Sequence, residues 1–216
     1  MTDEPQEPNS PQPGSGDAAV AAAAERAEYT RGRNLPSFDD LPGVGDTANL
    51  RLGAELDDGC LALLPLVGVW RGEGEASHPS LDESYRFLQQ VTFAHDGRPF
   101  LFYESRAWKL DGEGGSVVEP AFREVGWWRP QSDDTIELLL VHSSGVAEMF
   151  FGSPRNQTTW ELSTDAVIRT PTADDVTAAS RLYGVVDGSL AYVEERATSE
   201  HEIQPRLSAK LERVVG

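Results

Sequence analysis

Four histidines, one cysteine and a scatter of acid–arginine pairs are the residues of this chain equipped for chemistry. The histidines are His78, His95, His142 and His201. None stands three or four residues from another and no HExxH occurs, so a dedicated zinc site is not expected. His78 lies in a His78-Pro79 turn, and His95 borders Asp96-Gly97. Both read as turn residues, with His95 in water. His142 closes a strand before Ser143-Ser144 and reads as a surface residue. His201 sits in Ser199-Glu200-His201-Glu202, where acidic neighbours suit a solvated loop. Cys60 stands alone, which excludes an intrachain disulfide and a cysteine metal cluster. A Ser-His-Asp order, a nucleophile elbow and a carboxylate pair are all missing, so no catalytic residue is assigned.

Other side chains are candidates for lining a cavity. Phe100, Phe102, Glu104, Arg106 and Trp108 share one parity, so on a strand they share one face. A charged residue on an aromatic face needs a partner, and Glu104 and Arg106 at i, i+2 supply one another. A bulge in the strand would instead leave both in water. Trp127-Trp128 puts one indole on each face; Trp128 joins Trp70 as a candidate cavity residue. Arg123, Arg169 and Arg181 are candidates for an acidic ligand head, while Tyr183, Tyr192 and Met149 read as core.

These residues must be held by strands. From Leu66 onward, short runs of strand-type residues recur at 67–75, 84–94, 99–110, 116–129, 134–141, 145–152, 156–163, 165–170, 174–187, 189–198 and 206–215. Turn pairs separate them, namely Asp96-Gly97, Asp111-Gly112, Ser144-Gly145 and Asp187-Gly188. Allowing for split runs, this predicts about ten strands in an antiparallel up-and-down barrel, all-β, which closes to remove its own edges. Tyr85, Phe87, Gln89, Val91 and Phe93 form one face of the second run. The runs at 134–141 and 145–152 are apolar on both faces and must be covered on both. The cover expected for the outside is the N-terminal segment, a short helix or a second copy in a homodimer.

Residues 1–54 read as an acidic extension and 55–216 as the barrel. Met1 to Asp17 is rich in Pro, Gly and acid and predicts disorder. Ala18 to Arg31 predicts a short alanine-rich helix, with Asp17 as N-cap and arginines near its end. Asp57 to Pro65 predicts a brief helix that plugs one end of the barrel. The chain of 216 residues carries 36 acidic and 18 basic side chains, a formal net charge of −18. Such a polyanion is repelled by nucleic acid and by anionic membranes, so neither is an expected partner. No apolar run reaches about 18 residues and no secretory signal core is visible, so a cytoplasmic protein is expected.

The most distinctive stretch is Val67 to Leu81, where Gly68, Trp70, Gly72 and Gly74 alternate before His78-Pro79. Alternation puts all four on one strand face, and glycine repeated there marks a bend or a close backbone approach. A GxGxxG dinucleotide motif and a phosphate loop are both excluded, because neither the helix start nor Gly-Lys-Ser/Thr follows. GxWxGxG followed by a His-Pro turn resembles the nitrobindin family, over about Leu61 to Val215. The family pattern continues with another Gly and a Tyr-Pro pair, where this chain has Ala76 and His78-Pro79. The resemblance implies a ten-stranded fatty-acid-binding-protein-like barrel, which in typical members binds ferric haem, whose iron would bind NO or isomerise peroxynitrite to nitrate. It also implies an axial histidine in the last strand, yet no residue from Gln204 to Gly216 is histidine. The expectation is therefore a barrel that binds a small apolar ligand and no haem, with no cofactor. Two alternatives stand beside it: a haem protein using another ligand such as His201, and a filled, non-catalytic interaction barrel.

Overall fold

The computed structural model describes residues 15–32, 45–112 and 115–216. It divides the chain into two compact units between Gly43 and Val44. The described part of the first unit is helix α1, Ser15–Tyr29, with Asp17 in its first turn and Arg26 in its last. That charge order follows the helix dipole. The expected disorder of Met1 to Asp17 falls largely outside the described residues.

The second unit is a closed antiparallel barrel of ten strands. They are β1 (Gly68–Ala76), β2 (Tyr85–Ala94), β3 (Leu101–Asp111), β4 (Ser116–Pro130) and β5 (Ile136–His142), then β6 (Val146–Asn156), β7 (Thr159–Arg169), β8 (Ala178–Val186), β9 (Ser189–Ala197) and β10 (Gln204–Val215). Each strand pairs with its sequence neighbours, and β10 closes on β1. The turn chemistry behaves as its residue types dictate: Asp187 and Gly188 both take positive φ, 50° and 81°, which a tight hairpin of the right twist needs. The two runs expected at 156–163 and 165–170 are one strand. Met149 faces Ala166 while Phe150 faces Thr164, so Asp165 bulges out and resets the alternation that made β7 look divided.

One end of the barrel is plugged. A 3-10 helix at Asp58–Leu66 starts on the Asp57 side chain, which accepts from the Gly59 N–H at 2.8 Å. The helix buries Cys60, Leu63 and Leu66. Two core indoles tie it down: Trp70 Nε1 donates to the Leu66 carbonyl at 2.8 Å, and Trp160 Nε1 to the Ala62 carbonyl at 3.1 Å. Arg213 reaches over the Trp70 ring at 4.0 Å and donates to the Pro65 and Val67 carbonyls. The segment ahead of this helix also lies on the barrel, through a two-way backbone bridge between Thr47 and His95.

The glycines of β1 have a steric reason. A Cβ on Gly72 would collide with the Lys210 carbonyl of β10, and one on Gly74 with Ser208 O and the Phe87 ring. The bare face of β1 is what lets β10 close the barrel. Gly184, in β8, would meet nothing nearer than 3.7 Å. We expect Gly72→Ala to destabilise the protein by about 1–3 kcal/mol, and Gly184→Ala to stay near neutral. Urea midpoints of the two variants check this, and equal midpoints would remove the close-approach explanation.

Candidate functional site at the barrel mouth

Strand alternation sends the larger side chains of the lower barrel inward. Trp70, Phe93, Tyr103, Trp128, Phe150 and Trp160 fill the space above the plug, each 1% exposed or less. Edge-on contacts lock them: Phe93 to Trp128 at 5.7 Å and Trp128 to Tyr183 at 5.2 Å. Trp70 and Trp128 therefore lie in the packed interior. The other candidate cavity residues lie elsewhere. The inward residues of β3 are Leu101, Tyr103, Ser105 and Ala107. Phe102, Glu104, Arg106 and Trp108 take the opposite parity and face outward, and Phe100 precedes the strand under the Arg98 guanidinium. The aromatic parity misleads because the outer wall is also apolar: Phe102, Trp127, Leu139 and Met149 are register partners in one row across β3 to β6. Glu104 does pair with Arg106 at 2.9 Å, and with Arg123 at 2.6 Å, but on this outer face.

Toward the open end the interior turns polar. Arg181, 1% exposed, lies between two carboxylates. Its Nη1 and Nη2 each donate to Glu124 at 2.8 Å, and Nη2 also stands 2.8 Å from Glu194 Oε2. Glu194 is further met by Arg196 at 2.9 Å and Arg206 at 3.3 Å. Tyr103 donates to Glu124 at 2.7 Å. His142 completes the group, with Nε2 at 2.6 Å from Glu148 and Nδ1 at 3.3 Å from Glu124. Burial alone pushes the Glu124 carboxyl up, but Arg181 outweighs it and holds its pKa down at about 2. Burial likewise opposes the Glu194 charge, and Arg196 and Arg181 drive its pKa far down. Burial raises the Tyr103 hydroxyl, and the Glu124 charge adds to it.

The histidines gather differently from expectation. His78 is 7% exposed, held between Ser80 Oγ at 2.8 Å and the Arg196 carbonyl at 3.1 Å. His142 is not a surface residue but part of the buried cluster, because the inward turn of β5 aims it at Glu124 and Glu148. His95 is fully buried, with both ring nitrogens lacking a hydrogen-bond partner, because the segment around Thr47 covers it. His201 meets His78 edge-on at 5.8 Å, and Thr198 Oγ1 stands 3.1 Å from its Nδ1. Its Nε2 has no partner among the described residues. At the mouth a cavity of about 260 Å³ is lined by Tyr85, Phe122, His142, Arg196, Arg206 and Leu207, among others.

Sequence reasoning had named Arg181 but placed Arg123 and Arg169 beside it; both point outward, to Glu104 and Asp175. It missed Glu124, Glu194, Arg196 and Arg206. Parity was the available signal, since Glu194 and Arg196 continue the inward series Leu190, Tyr192. Removing Arg181 leaves the buried Glu124 without its guanidinium and takes one of three from Glu194, so Arg181→Met should cost roughly 3–5 kcal/mol at neutral pH. Depressed carboxylate pKa values contribute stability that is complete above pH 4.5 and lost as pH falls toward 2. Urea midpoints should therefore fall in that window for the parent and much less for Arg181→Met. A variant with the parent's full acid sensitivity would dismiss Arg181 as the cause.

A family model described as "THAP4-like, heme-binding beta-barrel domain" matches residues 59–213. A ferric nitrobindin-like protein of Saccharopolyspora erythraea is 82% identical, over 95% of this chain and 97% of its own. Peroxynitrite isomerase 2 of Mycolicibacterium smegmatis is 53% identical, over 96% of this chain and 98% of its own. The crystal structure of Rv2717c from M. tuberculosis superposes with a TM-score of 0.65 at 31% identity, over 74% of this chain and 99% of that one. Among the described residues no helix is long and apolar enough to cross a membrane. The matches correct the expectation of a haem-free barrel for an apolar ligand, and with it the expectation of no cofactor. That reading hung on one histidine missing from β10, whereas the match to a heme-binding domain runs through nearly the whole barrel. The chain belongs to the nitrobindin family of THAP4-like, heme-binding β-barrel domains.

Proposed function

We propose that this chain binds ferric haem at the open mouth of its barrel and converts peroxynitrite to nitrate. The observation that carries the reading is the heme-binding domain match over residues 59–213, on a barrel that closes through all ten strands. Relatives named peroxynitrite isomerase, 53% identical over nearly their full length, support the reaction class. Peroxynitrite and nitrate are isomeric anions, so the conversion requires no net proton and no outside electron.

The mouth fits the group in part: its cavity is lined by Tyr85 and His142, and the histidine with a free nitrogen, His201, stands outside that lining. Haem iron takes His, Cys, Met or Tyr. His78 and His142 have both ring nitrogens engaged, and Cys60 is sealed in the plug. His201 retains a free Nε2, and Thr198 fixes its ring through Nδ1. Ligation requires the tautomer in which Nδ1–H donates to Thr198 Oγ1. Tyr85, Ala121, Phe122 and Leu207 supply apolar wall, and Arg123 a cation at the rim. The mouth cavity is below the roughly 300–1,000 Å³ of ordinary small-molecule pockets, and a wider one of about 700 Å³ opens along β1, β8, β9 and β10 beside Gly74, Tyr183, Tyr192 and Ala209. When bound, ferric haem supplies an electron-accepting iron toward an oxyanion. The chain's own part is to hold the group, present the His201 ring and keep water from the apolar wall. The single reduced cysteine fits a reducing compartment, and we place the protein in the cytoplasm.

Haemin titration of the purified chain, read at the Soret band, tests the proposal. The expected result is a shifted, saturable band that His201→Ala abolishes. A band unchanged in His201→Ala would move the ligand elsewhere. No saturable band at all would discard haem binding and leave the packed barrel as an interaction protein.

A further inference from the structure

Three guanidinium groups converge on Glu194, yet the mouth leaves most of their donors unused. Arg181 is engaged through both Nη atoms, with its Nε buried and without an acceptor. Arg196 gives Nη2 to Glu194, while its Nε is buried without an acceptor, on a side chain only 6% exposed. Arg206 makes a single long contact, Nη1 to Glu194 at 3.3 Å, on a side chain 11% exposed. Its Nε–H and Nη2 have no acceptor among the described residues. Both arginines line the mouth cavity, as do Ser143 and Ser144. Buried N–H groups of a charged side chain are rarely left without an acceptor, because desolvating them unpaired is expensive. The local charge agrees. Arg181, Arg196 and Arg206 face Glu124 and Glu194, and Glu148 is met by His142. Asp174 also lines the cavity, but it is exposed, so solvent screens its charge.

We propose that the mouth cavity is a binding site for a small planar oxyanion, held by Arg196 and Arg206. A planar guanidinium offers two parallel N–H donors that match two oxygens of nitrate or of a carboxylate. A volume of 260 Å³ admits such an ion with several waters, each needing about 30 Å³. The site needs no haem, so it goes beyond the haem reading and stands or falls separately from it.

The test is calorimetric titration of the full chain, without haem, with sodium nitrate and with sodium acetate, against sodium chloride at equal ionic strength. Saturable binding above the chloride control is expected. Arg206→Gln should weaken it about tenfold or more, since a hydrogen bond to a charged group carries that much. Arg129→Gln, on the outer wall beside Glu137, should leave it unchanged. Nitrate favoured over acetate assigns the site to a free inorganic anion; acetate favoured assigns it to the carboxylate of a larger ligand. If Arg206→Gln fails to fold, Arg206→Lys replaces it, keeping the charge but losing the fork, and is expected to weaken nitrate as well. No saturable heat from either anion, or variants of Arg206 that bind like the parent, would overturn the proposal.

Discussion

The Arg181 guanidinium, buried between Glu124 and Glu194, is the constraint on which the rest of the barrel depends. A charge taken out of water costs several kcal/mol unless it is paired and hydrogen-bonded in good geometry. Here the pairing needs three strands at once: Arg181 comes from β8, Glu194 from its neighbour β9, and Glu124 from β4 across the barrel. A slip of one residue in any of them would turn its charge to the outer face and leave the others buried alone. Closure, register and the ionic network are thus one condition. The bare Gly72 and Gly74 on β1 belong to it, because without the close approach of β10 the ring of strands would not shut around the network.

The network also divides the interior in two. Below it, indoles and phenyl rings pack against the 3-10 plug and against one another, and among the described residues the Trp128 Nε1 and the His95 ring are left without a partner. Above it, arginines, histidines and carboxylates face the mouth. The boundary is made by Tyr103, Tyr183 and Tyr192, whose rings stack in the core while their hydroxyls reach into the polar layer. Tyrosine suits that position because one end is apolar and the other wants a partner. A ligand therefore meets a polar, preorganised floor rather than a greasy tunnel.

Much of the fold was legible in the sequence because strand alternation and turn residues are local signals. The face of β2 was legible from Tyr85, Phe87, Gln89, Val91 and Phe93, whereas β5, apolar on both sides, offered no choice of face. β3 was read on the wrong face, since Phe102 and Trp108 looked like core while the inward positions are Tyr103, Ser105 and Ala107. Hydrophobicity chooses a face only when the other is polar, and the outer wall of β3 to β6 is not. The site was harder still. Glu124, Glu194, Arg196 and Arg206 look like surface charges one by one, and only the closed barrel shows that they neutralise one another. His95 looked solvated because the bridge that covers it comes from Thr47, 48 positions earlier in the chain.

The same closure explains why one missing histidine proved a weak guide to function. A strand position is one way to deliver an imidazole to the mouth, and loops at that end are another. His201 and His78 come from the β9–β10 and β1–β2 connections, and the barrel brings their rings to 5.8 Å, with His78 against the Arg196 carbonyl. Loops at the end of a rigid barrel can exchange ligand types without disturbing the strands that hold them. What the barrel does fix is the charge beneath: Arg181 stays ionised, because burial, which opposes its charge, is outweighed by Glu124 and Glu194. The chemistry at this mouth is therefore set from below by a permanent ionic layer, and any group seated there, haem or free anion, must be compatible with it.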